Sequence, residues 1–112
     1  MIYAYPYATV TRVHDGDTFW VDIDLGLRLH TEQKVRVRGV NAAELGDPDP
    51  EKKRKADEAR DWLTVKLPAG TPVQLVAHAW TYDRLECDVM LKDGSNLAQD
   101  ILDADMAVRA HR

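Results

Sequence analysis

The stretch Arg36-Val37-Arg38-Gly39-Val40-Asn41-Ala42-Ala43-Glu44 sets a guanidinium, an amide oxygen and a carboxylate along one short reach of backbone. Each group has a use at a phosphodiester. A guanidinium grips phosphate in two-pronged fashion, a carboxylate orients or deprotonates a water, and a side-chain oxygen helps hold a hard divalent cation. One arginine and one amide cannot bind both metal and phosphate, so partners must come from elsewhere. Asp15-Gly16-Asp17-Thr18 and Tyr82-Asp83-Arg84 are the candidates. Two carboxylates on a tight turn can serve a cation.

Taken singly, each of these groups has a plainer explanation. Asp15-Gly16 suits an ordinary hairpin turn. Asn41 and Glu44 suit a loop at a strand end, Arg36 a surface position, and Arg84 a solvated pair with Asp83 or Glu86 that would contribute little. The order and spacing of the whole set favour a shared site.

The rest of the chain must position these groups. Its 112 residues suffice for one domain with its own core. A strand is expected over Ala8–Val13, bounded by Pro6 and the Asp15-Gly16 turn. From Thr18 to His30 the apolar residues Phe19, Val21, Ile23, Leu25, Leu27 and Leu29 alternate with mostly polar ones, with Gly26 marking a bulge or sharp bend. A third strand carries Val35 and Val37 on one face and Arg36 and Arg38 on the other. Asp49 and Pro50 read as N-cap and first residue of a helix through Leu63 and Leu67, stopped by Pro68-Ala69-Gly70. Lys52, Lys53, Arg54 and Lys55 oppose the helix dipole in its first turns, so they read as a solvated face or a secondary nucleic-acid contact. Val73–Trp80 and Leu85–Leu91 alternate again. Asn96, with Gln99 three residues on, caps a last helix ending near Met106. Five short strands, with helices after the third and fifth, fit a small Greek-key barrel of the oligonucleotide/oligosaccharide-binding (OB) type, mainly β with two helices packed on it. A flatter mixed α+β sheet is the alternative.

Composition narrows the chemistry. Cys87 is the only cysteine, which excludes an internal disulfide and a cysteine zinc site. The N-terminal residues have neither a basic flank nor a long apolar run, so the cytoplasm is the expected location, with no membrane contact. A net charge of −4 argues against a broad electrostatic grip on nucleic acid, and any polyanion must be held locally.

Together, Asp15-Gly16-Asp17-Thr18, the run from Arg36 to Glu44, and Tyr82-Asp83-Arg84 followed by Gly94 resemble the staphylococcal nuclease (thermonuclease) family, over a match from about Thr9 to Val108. The resemblance implies calcium-dependent cleavage of DNA or RNA phosphodiesters on an OB barrel. It implies that Asp17, the Asn41 amide and the Ala42 main-chain carbonyl hold Ca2+, with Asp15 supporting them from behind. It further implies that Arg36 and Arg84 bind the scissile phosphate, that Glu44 orients or activates the attacking water, and that Tyr82 lines the phosphate pocket. The nucleic-acid partner is expected to be single-stranded by preference and the chain to act as a monomer. The chain departs from the family pattern at Asn41, where aspartate is common, at Ala43 for proline, at Thr81 for lysine and at Asp83 for glycine. Asn41 keeps an oxygen ligand but removes a charge, so weaker calcium binding is expected. The chain is similar to a trimmed core, as in compact bacterial or phage-encoded relatives. The other reading is a module on the same fold, catalytically weakened or inactive, that binds nucleic acid or a protein partner.

Overall fold

The computed structural model describes residues 2–110. Its elements are β1 (Tyr3–Asp15), β2 (Thr18–Gly26), β3 (Leu29–Val37), β4 (Val40–Asn41), α1 (Pro50–Lys66), β5 (Pro72–Thr81), β6 (Arg84–Leu91), α2 (Leu97–Asp103) and β7 (Val108–Arg109). Five strands close into a barrel in the order β1-β2-β3-β6-β5, while β4 and β7 form a separate two-stranded sheet. The expected OB-like barrel with two helices is therefore present. All barrel pairings are antiparallel except β3–β6, which is parallel and runs from Lys34 beside Arg84 to Val37 beside Cys87.

Alternation explains the core. Phe19, Val21, Ile23, Val35, Val37, Leu75, Cys87 and Val89 fill the barrel interior, and Leu63 and Leu67 from α1 with Leu97 and Ile101 from α2 pack against them. The Cys87 thiol is pushed up to about 12 by burial and then by the charges of Asp88 and Glu86, so it stays protonated and unreactive at neutral pH.

The strands differ from expectation at three places. β1 passes through Pro6, because the proline sits where the β1–β5 register shifts between Tyr5 and Ala8 and no ladder donor is needed. The Thr18–His30 run is two strands, with Gly26 paired to Leu29 and Leu27 and Arg28 both at positive φ (56° and 63°) in a two-residue hairpin turn. Leu25, Leu27 and Leu29 keep the apolar alternation but extend past the packed interior and are exposed. Glu86, in phase with the polar face of β6, is 2% exposed.

Both helix starts form as their sequences indicate. The Asp49 carboxylate accepts from the Glu51 amide above Pro50, and the Asn96 side chain accepts from the Ala98 amide. Gln99 donates instead to Asp103 at 2.8 Å, and α2 ends at Asp103, before Met106.

Candidate functional site

Asp15 and Thr18 pair across the tip of the β1–β2 hairpin, and Asp15 Oδ1 accepts from the Asp17 amide at 3.1 Å. Gly16 at the tip is there for proximity. A Cβ on it would lie 2.6 Å from the Ala59 Cβ of α1 and 2.8 Å from the Ala42 Cβ, so only glycine lets the turn, the helix and the segment after β4 meet this closely.

Register then delivers the arginine. Thr18 pairs with Arg36, and the Val37 amide donates to the Asp17 carbonyl at 2.9 Å, which sets the Arg36 side chain beside the Asp17 carboxylate. The two are mostly buried, at 13% and 10% side-chain exposure. Arg36 Nη1 lies 3.0 Å from Asp17 Oδ2 without hydrogen-bond alignment, and Nη2 donates to the Asn41 amide oxygen. Asp17 also accepts from the Thr18 hydroxyl at 2.8 Å through Oδ1 and from the Ala42 amide at 2.9 Å through Oδ2. One carboxylate thus ties β2, β3 and the loop after β4 into a single wall.

That wall faces a cavity of about 630 Å³ lined by Asp15, Asp17, Arg36, Asn41, Ala42, Glu44 and Arg84, with His14, Ala43, Leu45 and Gly46. Seven of the eight site residues expected from the sequence meet here. The eighth, Tyr82, is 93% exposed at positive φ (59°) and lines an adjoining hollow with Lys34, Asp83 and Arg84, outside the main cavity. Asp83 pairs with Lys34 at 3.2 Å, which holds its carboxylate below the ordinary aspartate range, so its charge is directed to β3 as well as lying near Arg84. Arg38, in phase with Arg36, turns the other way toward Glu86 and Asp88.

His14 is a cavity residue that sequence reasoning passed over. Its position directly before Asp15-Gly16-Asp17 was the available signal, since a turn that presents carboxylates also presents its flanking side chain.

Asp15 carries the clearest electrostatic signature. Burial first, then the neighbouring Asp17 carboxylate, with which it shares a hydrogen bond when protonated, raises its pKa from 3.8 to about 6. Two acids crowded at one wall are under a stress that a cation relieves.

The donor types suit a hard divalent ion. Asp17 and the Asn41 amide carry side-chain oxygens, with Asp15 adjacent and room for water in the cavity. Among the described residues no group of three or more His, Cys, Asp or Glu side chains is assembled to hold a metal. The ion would depend on neutral oxygens and water beside the carboxylates, and Arg36 already occupies part of Asp17 and Asn41. A hard cation such as Ca2+ would find oxygen donors of the right type here, but few of them. Among the described residues no helix is long and apolar enough to cross a membrane. Compared with known proteins, the sequence matches no family model and no curated protein.

Proposed function

We propose that the chain is a calcium-dependent nuclease that hydrolyses phosphodiester bonds of DNA or RNA. One observation carries this reading: Asp17, Arg36, Glu44 and Arg84, drawn from separate stretches of the chain, line one open cavity. Cleavage builds negative charge on the phosphorus centre, and two guanidiniums on one cavity supply compensating charge where it develops. Arg84 begins β6 and Arg36 sits in the paired part of β3, so both reach the cavity from a rigid sheet. To grip phosphate with both prongs, Arg36 gives up its contacts with Asp17 and Asn41. Glu44, exposed on the loop after β4, orients the attacking water and takes its proton. Asp17, Asn41 and the Ala42 carbonyl would hold Ca2+, with Asp15 behind them. The bound ion would supply charge compensation on the phosphate oxygens. An open cleft on a chain of net charge −4 suits single strands better than a rigid duplex.

A second reading has its own observation. Arg36 already rests against Asp17 and Asn41, which suits a barrel that binds nucleic acid or a protein partner without cleaving. Cleavage of a labelled single-stranded oligonucleotide, with calcium or with chelator, separates the two when the parent is compared with Glu44→Gln. The nuclease reading requires calcium-dependent cleavage that falls in the variant. Folded protein that fails to cleave whichever divalent ion is supplied supports the binding module.

A further inference from the structure

A second groove of about 630 Å³ lies on the other side of the Asn41–Ala43 segment from the cavity that holds Glu44 and Arg84. Its outer wall is α1, which contributes Lys52, Arg54 and Lys55. The two hollows share Asn41, Ala42 and Ala43 in their linings, so they are neighbours on the surface.

The charge in this groove is unlike that of the molecule. The whole chain is acidic, at −4, yet the groove brings three cations against two acids, Glu58 and Asp105. Arg54 is committed to Glu51 and Glu58. Lys52 and Lys55 make no ion pair among the described residues, and their ammonium groups are left for a ligand.

Helical geometry explains why these two share one side of α1. Ala56 and Ala59 form the buried stripe of α1. Lys52 and Lys55 each lie one turn before one of them, so they flank the packed face. Lys53 does not line the groove.

We propose that Lys52 and Lys55 hold backbone phosphates of a polynucleotide strand that continues past the scissile linkage. The groove is then a subsite for polymers, which a dinucleotide is too short to reach. This rests on the nuclease reading for its scissile linkage and extends it to the choice of substrate length. A local pair of lysines also reconciles polyanion binding with an acidic chain, because the contact does not require overall positive charge.

The test compares the parent, Lys52→Ala/Lys55→Ala and the control Lys53→Ala. Fluorescence anisotropy measures binding of a labelled single-stranded dodecanucleotide and of a dinucleotide, with calcium in a Glu44→Gln background and again with chelator, over a salt series. All three lysines are exposed, so the variants are expected to fold, and thermal melts verify this. The double variant should bind the dodecanucleotide roughly five- to tenfold more weakly at low salt. Its slope of log affinity against log salt should shrink by about 1.4, the value for two single-strand phosphate contacts. Dinucleotide binding and the Lys53→Ala control should match the parent. An unchanged salt slope, an equal loss for the dinucleotide, or an equal loss in Lys53→Ala overturns the subsite. Cleavage is scored separately on the parent. Calcium-dependent cleavage with an unchanged salt slope removes the subsite and leaves the nuclease. The expected binding pattern without cleavage keeps the phosphate-binding groove and removes the nuclease.

Discussion

Arg36→Ala should unfold this protein more easily as well as impair it, and the size of the effect follows from its burial. The substitution leaves the Asp17 carboxylate, at 10% side-chain exposure, without the guanidinium 3.0 Å away. Removing one partner of a buried pair typically costs about 3–5 kcal/mol, because an unpaired charge stays behind. Asp17 keeps the Thr18 hydroxyl and the Ala42 amide, which places the loss near the lower end, at about 3 kcal/mol. For a domain of this size that lowers the melting temperature by on the order of 12 °C. Asp17→Asn replaces the charge with a neutral amide, so in that background the same Arg36→Ala change should cost only about 1 kcal/mol. Urea unfolding followed by tryptophan fluorescence on the parent, both single variants and the double variant yields the coupling directly. Equal losses from Arg36→Ala in the two backgrounds would refute the reasoning, since the pair would then contribute nothing. Arg84→Ala is the companion: it lies at the cavity without a buried ion pair to break, so its stability should stay within about 1 kcal/mol. If the proposed nuclease activity holds, its turnover should fall on the order of a hundredfold.

Asp15 makes stability depend on pH with a definite sign. Its folded pKa of about 6 lies above the unfolded 3.8, so its contribution is full below the unfolded value and is lost as pH rises through 6. The gap is worth about 3 kcal/mol unscreened, and roughly half that for a half-exposed group. Asp15→Asn should therefore be more stable than the parent by about 1–2 kcal/mol at pH 7.5 in chelator and equal to it near pH 3.5. Urea midpoints at the two pH values decide, and a gain that ignores pH counts against it. Gly16→Ala forces a methyl to within 2.6 Å of the Ala59 Cβ and should cost about 1–3 kcal/mol. A thermal melt indistinguishable from the parent would show that the turn can move away from α1.

The sequence carried some of this architecture openly. Asp49-Pro50 states a helix start in local chemistry, and Val35 and Val37 against Arg36 state which face of a strand is buried; both forms are seen. Gly26 marked a bend, but Leu27-Arg28 lacks the glycine or asparagine that usually announces a two-residue turn, so the bend was not legible as a strand break. The short β4–β7 pair joins Asn41 to Val108, a distance along the chain that no periodicity spans. At the site, the residue types and spacing suggested which side chains would line one cavity. That Arg36 would rest against Asp17 was hidden, because it depends on the register that sets Thr18 opposite Arg36. Asp83 shows the same limit. Adjacent to Arg84 in sequence, it pairs across the parallel strands with Lys34, whose partner in register is Arg84 itself.

The single parallel junction of the barrel has a mechanical consequence. It joins β3 to β6 over a short stretch between segments some fifty residues apart, and Arg36 and Arg84 stand on its two sides. Longer antiparallel ladders join the rest of the barrel, and parallel pairing is slightly weaker per residue, so this junction is expected to be its weakest seam. An anion gripped by both guanidiniums would act as a clasp across it. Occupancy would then be felt as slowed opening of the wall, with backbone amides of β3 and β6 shielded from exchange more than those of the hairpin at the far end.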